Sequence, residues 1–163
     1  MQNSKLKIKI QNELTANLKK GDQITVSTLR MLLAAILNRE KEKKYKEKIE
    51  GEAELTDEEI IEVISSEAKK RKEAICEFEK GEREDLVKKE KAELEILQQY
   101  LPEQLSEEEL KKIIKEVINK VGAREVKDIG KTMAEIMPQV KGRAAGSDVS
   151  KIVRKLLVQD DRD

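Results

Sequence analysis

The sequence predicts an all-α protein of two helical subdomains, and three observations lead there. Apolar residues recur at three- and four-residue spacing along most of the chain. Two boxes, Thr56 with Glu59 and Ser106 with Glu109, have the spacing that opens a helix by reciprocal capping. Composition completes the case: 42% charged, 37% hydrophobic and 2% aromatic residues describe aliphatic cores beneath solvated, charged helix faces rather than a disordered chain.

The elements follow in order. Leu6, Ile8 and Ile10 alternate with lysines as a strand would, but Leu6, Ile10, Leu14 and Leu18 also fall at helical spacing. A lone strand would have no partner, so a helix ending at Gly21 is expected. From Asp22 to about Tyr45 the most apolar segment, "ITVSTLRMLLAAILN", predicts a helix buried over much of its circumference, striped by Val26, Leu29, Leu32, Leu33, Ile36 and Leu37. Its continuation, "REKEKKYKEKIEGEAEL", loses that stripe and reads as a frayed end and exposed connection. A third helix opens at Thr56, carries Ile60, Ile61, Ile64, Ala68, Arg71, Ile75 and Phe78 inward and stops at Gly81. A fourth runs from about Arg83 to Gln99 with Leu86, Val87, Leu94 and Leu97 on its core side. Short connections favour antiparallel neighbours, so residues 1–101 make a four-helix, bundle-like subdomain.

Pro102 ends that part and the Ser106 box starts the next. Residues 102–163 then read as three short helices. The fifth is striped by Leu110, Ile113, Ile114, Val117, Ile118 and Val121, the sixth by Val126, Ile129, Met133 and Ile136, and the seventh by Val149, Ile152, Val153, Leu156 and Leu157. Gly122 separates the fifth from the sixth.

Charge and composition exclude whole classes of chemistry. Lys plus Arg, 34, balances Asp plus Glu, 34, so any attraction to nucleic acid or an acidic membrane must be local. With no histidine, the chain lacks the usual neutral-pH general base, which removes His-based triads, Cys-His pairs and HExxH zinc sites. No metal, cofactor or small-molecule substrate is indicated. One cysteine, no apolar leader and no apolar run of about 18 residues point to a cytoplasmic protein that does not span a membrane.

Three constellations suggest chemistry and are better explained structurally. Ser66 and Lys69 have serine-lysine nucleophile spacing, but no companion motif or Gly-rich oxyanion turn accompanies them. Cys76, beside the inner stripe of the third helix, reads as a small packing residue. The acidic clusters Asp57 to Glu59 and Glu107 to Glu109 occupy first helical turns, where they complement free amides and the macrodipole. No catalytic residue is expected.

"MPQVKGRAAGSDVSKIVRKLL", residues 137–157, is different. From Met137 to Lys155 five cations, Lys141, Arg143, Lys151, Arg154 and Lys155, face one acid, Asp148. Lys127 and Lys131 extend this surface from the sixth helix. Gly142 and Gly146 allow close backbone approach or positive φ at the turn. Ser147 stands where the last helix begins, so it reads as the N-cap with Asp148 in the first turn. The stretch is therefore a turn and helix start, and also a candidate site for phosphate.

"LRMLLAAILN", "EFEKGEREDLVKKEKAELEILQQYLPEQLSEEEL" and "DIGKTMAEIMPQVKGRAAG" resemble the YqeY family of small bacterial cytosolic proteins, nearly end to end. That family is similar to the C-terminal tail of GatB, the B subunit of the tRNA-dependent Asp/Glu amidotransferase. The resemblance implies that residues 102–163 are a GatB-tail-like, tRNA-recognising part with no catalytic machinery. The shared signature falls on Lys141, Gly142, Ala144 and Val149, with Arg143 in place of another basic residue. Where the family often has Asp, Lys and Asn, this chain has Ala145, Ser147 and Ser150.

The sequence thus leads to a non-catalytic accessory protein that binds tRNA or another structured RNA through phosphates rather than base stacking. The expected contacts are Lys127, Lys131, Lys141, Gly142, Arg143, Gly146, Lys151, Arg154 and Lys155. A protein-interaction adaptor, with a protein partner in tRNA metabolism or elsewhere, is the alternative. An unrecognised amidotransferase-related enzyme ranks last.

Overall fold

The computed structural model describes residues 4–160. They form seven α-helices and one short 3-10 turn, with no strand among the described residues. The helices are α1 (Lys5–Lys20), α2 (Gln23–Glu47), α3 (Asp57–Lys80), α4 (Glu84–Gln98), α5 (Glu107–Val121), α6 (Ile129–Val140) and α7 (Gly146–Asp160). The fold is all-α. The chain divides into two compact units, residues 1–101 and 102–163.

In the first unit α3 packs most extensively on α4, and α1 on α2. Ile10, Leu29, Leu32, Ile36, Ile60, Ile64 and Leu97 are each almost wholly buried at its centre. Full burial of one such side chain stabilises by about 1.5–3 kcal/mol. Both expected capping boxes form: Thr56 Oγ1 accepts from Glu59 N–H at 3.2 Å while Glu59 Oε2 accepts from Thr56 N–H at 2.8 Å. Asp57 also caps α1 from outside, because its carboxylate accepts from the Ser4 hydroxyl and from the Leu6 amide.

The end of α2 departs from the expected frayed tail. The helix continues to Glu47 and is held by two ion pairs, Glu40 with Lys7 at 2.6 Å and Glu59 with Lys43 at 2.8 Å. The connection beyond it is not wholly exposed, since Ala53 and Leu55 are buried. Charge pairing, invisible to an apolar stripe, extends this helix. Conversely, Leu18 and Leu37, read as stripe residues, are about half exposed, at 48% and 49%. Cys76 is exposed rather than packed.

Arg71 lies inward as expected and is buried with carboxylates. Its Nε is 2.8 Å from Glu93 Oε2 and 3.5 Å from Glu90 Oε2, and Nη1 is 3.8 Å from Glu67 Oε2. The short Glu93 contact is ionic rather than a well-directed hydrogen bond, since Arg71 Nε finds no acceptor in line. Tyr100 closes the same unit: its hydroxyl donates to Glu13, and burial raises the phenol's pKa well above its ordinary value.

The second unit has its own core, in which Ile114, Ile136, Val140, Val149, Val153 and Leu157 are fully buried. The Ser106 box forms, with Glu109 Oε2 accepting from Ser106 N–H at 2.9 Å. Gly122 ends α5 in the left-handed region, φ 67. Val126, expected in a stripe, is 41% exposed in the 3-10 turn before α6. Thr132 takes a buried place that the apolar pattern did not indicate, its hydroxyl donating to the Asp128 carbonyl at 2.9 Å.

Candidate nucleic-acid interface

The α6–α7 turn is built from both of its ends. α6 runs on through Pro138 to Val140, so the proline lies inside the helix and does not end it. The carbonyl left without a donor belongs to Ala134, which is exposed to water. The Val140 carbonyl then accepts from Arg143 N–H at 2.8 Å and Ala144 N–H at 3.1 Å. This reversal places Gly142 at φ 75, a left-handed conformation that strains any residue with a Cβ.

A strap from before α5 braces the turn. Leu105 N–H donates to the Arg143 carbonyl at 2.9 Å, and Gln104 Nε2 donates to the Gly142 carbonyl at 2.8 Å. Arg143 is half-buried and its Nε donates to the Glu103 carbonyl at 3.3 Å. Part of the guanidinium's bonding therefore holds the turn itself together.

Helix α7 starts two residues earlier than a cap at Ser147 would place it, and Ser147 is not its cap. The Ala145 carbonyl accepts from Asp148 N–H at 3.0 Å and from Val149 N–H at 3.1 Å, so residue 145 stands at the N-cap. Alanine has no side-chain oxygen for the first-turn amides, and Ser147 and Asp148 sit exposed within that turn. Gly146 has no positive φ. It is the first residue of α7, and a Cβ there would meet Met137 Cε at 3.6 Å, an ordinary contact.

Along α7, Val149, Val153 and Leu157 point to the core, which leaves Lys151, Arg154 and Lys155 exposed on the opposite side with Ser147. Lys141 is exposed at the turn. Lys155 is close enough to Glu107 to help lower that carboxylate's pKa, although the hydrogen bond from Lys111 is the larger cause. Arg143 acts likewise on Glu109, behind the Ser106 amide and hydroxyl.

Lys127 and Lys131 are exposed but lie among acids. Lys127 pairs with Glu125 at 2.8 Å, and that hydrogen bond raises its pKa. Asp128, held below the usual carboxylate range by the Arg124 and Glu125 amides, is also near both lysines. The 3-10 turn therefore adds little net positive charge. Among the described residues, no group of three or more His, Cys, Asp or Glu side chains is placed to hold a metal ion. No described helix is long and apolar enough to cross a membrane.

An all-helical chain in two units, with a braced basic turn leading into its last helix, belongs to a recognisable class. The model of the YqeY-like proteins matches residues 7–157, nearly the whole chain, and the chain belongs to the YqeY family. It is similar to "Altered inheritance of mitochondria protein 41, mitochondrial" of Pyrenophora tritici-repentis, 30% identical over 91% of this chain and 79% of that protein. It is also similar to an uncharacterized protein of Schizosaccharomyces pombe, 34% identical over 60% of this chain and 72% of that protein. Both of these relatives are fungal proteins, where the resemblance implied bacterial ones.

Proposed function

We propose that the protein is a non-catalytic, cytoplasmic accessory factor that binds tRNA or another structured RNA through the basic turn and α7. The observation that carries this reading is local charge: in a chain of zero net charge, residues 137–155 hold five cations against one acid. Phosphate contacts are fast, salt-sensitive and tolerant of sequence, and they need no more than exposed cations on a rigid support. Lys141 at the turn and Lys151, Arg154 and Lys155 along α7 supply those cations, with Arg143 and Gly142 setting the turn's shape. Lys127 and Lys131 contribute less, because Glu125 and Asp128 offset them. The likeness of residues 102–163 to the GatB tail supports the same ligand class.

The adaptor reading has an observation of its own. Between α2 and α3 lies an open groove of about 680 Å³, lined by Met31, Ala34, Ala35 and Val63 together with Arg39, Glu42, Glu62, Glu67 and Lys70. Apolar side chains beside charged ones suit an amphipathic helix. Bulk tRNA titrated against wild type and against a Lys141/Arg143/Lys151/Arg154→Gln variant separates the readings. Salt-sensitive binding lost in the variant supports RNA recognition, and no binding by wild type at low salt leaves the adaptor.

A further inference from the structure

Helix α1 carries the largest charge excess of the seven helices, five lysines against Glu13, in a chain whose total is zero. That one acid is half-buried and accepts the Tyr100 hydroxyl, and its single charge leaves the helix four cations in excess. Lys7 is also accounted for, by its 2.6 Å pair with the buried Glu40. Four exposed lysines remain: Lys5, Lys9, Lys19 and Lys20.

Helical spacing puts these four on one face. Lys5, Lys9, Asn12, Ala16 and Lys19 follow at intervals of three or four, with Lys20 adjacent, while Leu6, Ile10 and Leu14 face the core. The stripe is about 22 Å long at the α-helical rise of ~1.5 Å per residue. Its centre holds a small side chain and an amide, so a rigid, grooved ligand can lie along it.

Helix stability does not account for the pattern. Lys19 and Lys20 complement the C-terminal end of the macrodipole, but α1 has no acid in its first turn, where Lys5 and Lys7 oppose it. Helices α3, α4 and α5 all begin with acidic turns. Asp57 lies near Lys5 and offsets part of its charge, while its carboxylate is engaged with Ser4 and Leu6. Lys9 Nζ stands 5.6 Å from the centroid of the Tyr100 ring, and the residue as a whole is exposed. Leu6, Ile10 and Leu14 of α1 are used for the core, and the exposed Ile8 and Leu18, at 40% and 48%, are too few to make an apolar face that sinks into lipid.

We infer that the outer face of α1 is a second phosphate-binding surface for structured RNA. This rests on the RNA reading for the class of ligand and adds a surface on the other unit. Two weak polyanion surfaces on one chain strengthen each other through effective concentration, where one RNA engages both.

The test is binding of the full chain to bulk tRNA at about 50 and about 200 mM salt. Three variants are compared with wild type, after circular dichroism and a thermal melt show that each folds. The first carries Lys5→Gln, Lys9→Gln, Lys19→Gln and Lys20→Gln. The second removes Lys141, Arg143, Lys151 and Arg154. The third removes Lys72, Lys88, Lys89 and Lys112, four exposed lysines elsewhere.

The expected result is binding weakened about ten-fold or more at the lower salt in the α1 variant, with a salt slope shallower by about 2 to 3. The third variant changes little. Unchanged binding in the α1 variant with loss in the C-terminal one overturns this inference and leaves the α7 reading standing. Loss in the α1 variant alone supports it and overturns the α7 reading. Equal weakening in the third variant overturns it in favour of net charge, and no binding by wild type overturns both. Vesicles of equimolar phosphatidylcholine and phosphatidylserine complete the set: α1-dependent capture there without tRNA binding overturns the RNA ligand in favour of a membrane.

Discussion

At the start of α7 the first-turn amides meet an alanine where a capping oxygen belongs. Ala145→Asp should stabilise the protein by about 1 kcal/mol, because aspartate at an N-cap accepts from the second or third amide of the helix. Urea unfolding would show it as a raised midpoint with unchanged slope, and no change would place the cap elsewhere. Arg71 presents the opposite case. It is 9% exposed beside Glu93 at 4%, so Arg71→Met leaves a buried carboxylate without its cation and should cost about 3–5 kcal/mol. Adding Glu93→Leu should recover much of that loss, and a single variant within 0.5 kcal/mol of wild type would show the pair is dispensable (a bound of about the usual surface-substitution effect).

At the scale of elements, helix starts are fixed by carboxylates whose charged forms are favoured. Hydrogen bonds hold Asp57, Glu59, Glu109 and Asp128 below their ordinary pKa values, through Ser4, Lys43, the Ser106 amide and the Arg124 amide respectively. A carboxyl with a lowered folded pKa binds protons more weakly than in the unfolded chain. Its contribution is therefore complete above the ordinary values of 3.8 for Asp and 4.5 for Glu, and is lost as pH falls through the lowered ones. The thermal midpoint should be level with respect to these groups near neutrality and fall on acidification below about pH 4.5. A midpoint insensitive to acid would contradict the capping geometry.

Helix existence and the two boxes were legible because apolar period and S/T-x-x-E spacing are local signals. The end of α2 was not, because Glu40 and Lys43 find partners 33 and 16 residues away. Ser147 reads as the cap because it is the hydroxyl that just precedes the stripe. The chain instead turns tightly on Gly142 and enters the helix at Gly146, and no side-chain signal marks residue 145. The basic excess of the C-terminal turn was legible as composition. Arg143's bond to the Glu103 carbonyl was not, since it joins residues 40 apart. The lysines of α1 lay in plain view, and their common face follows from the same helical spacing that turns Leu6, Ile10 and Leu14 to the core.

At the scale of the whole molecule, each unit holds its own core. Residues 102–163, expressed alone, should be helical and unfold cooperatively, since Leu110, Ile114, Ile136, Val149, Val153 and Leu157 are buried within that unit. A disordered fragment by circular dichroism would show that this core is insufficient. Each unit also carries exposed cations on a helix of its own, Lys5, Lys9, Lys19 and Lys20 on α1 and Lys151, Arg154 and Lys155 on α7.

The most direct measurement is therefore the affinity of the full chain for bulk tRNA as salt is raised from about 50 to about 200 mM. Binding should weaken steeply with salt and be largely lost when Lys141, Arg143, Lys151 and Arg154 are replaced by glutamine. Absence of binding at the lower salt, or binding indifferent to those four residues, would contradict the RNA reading.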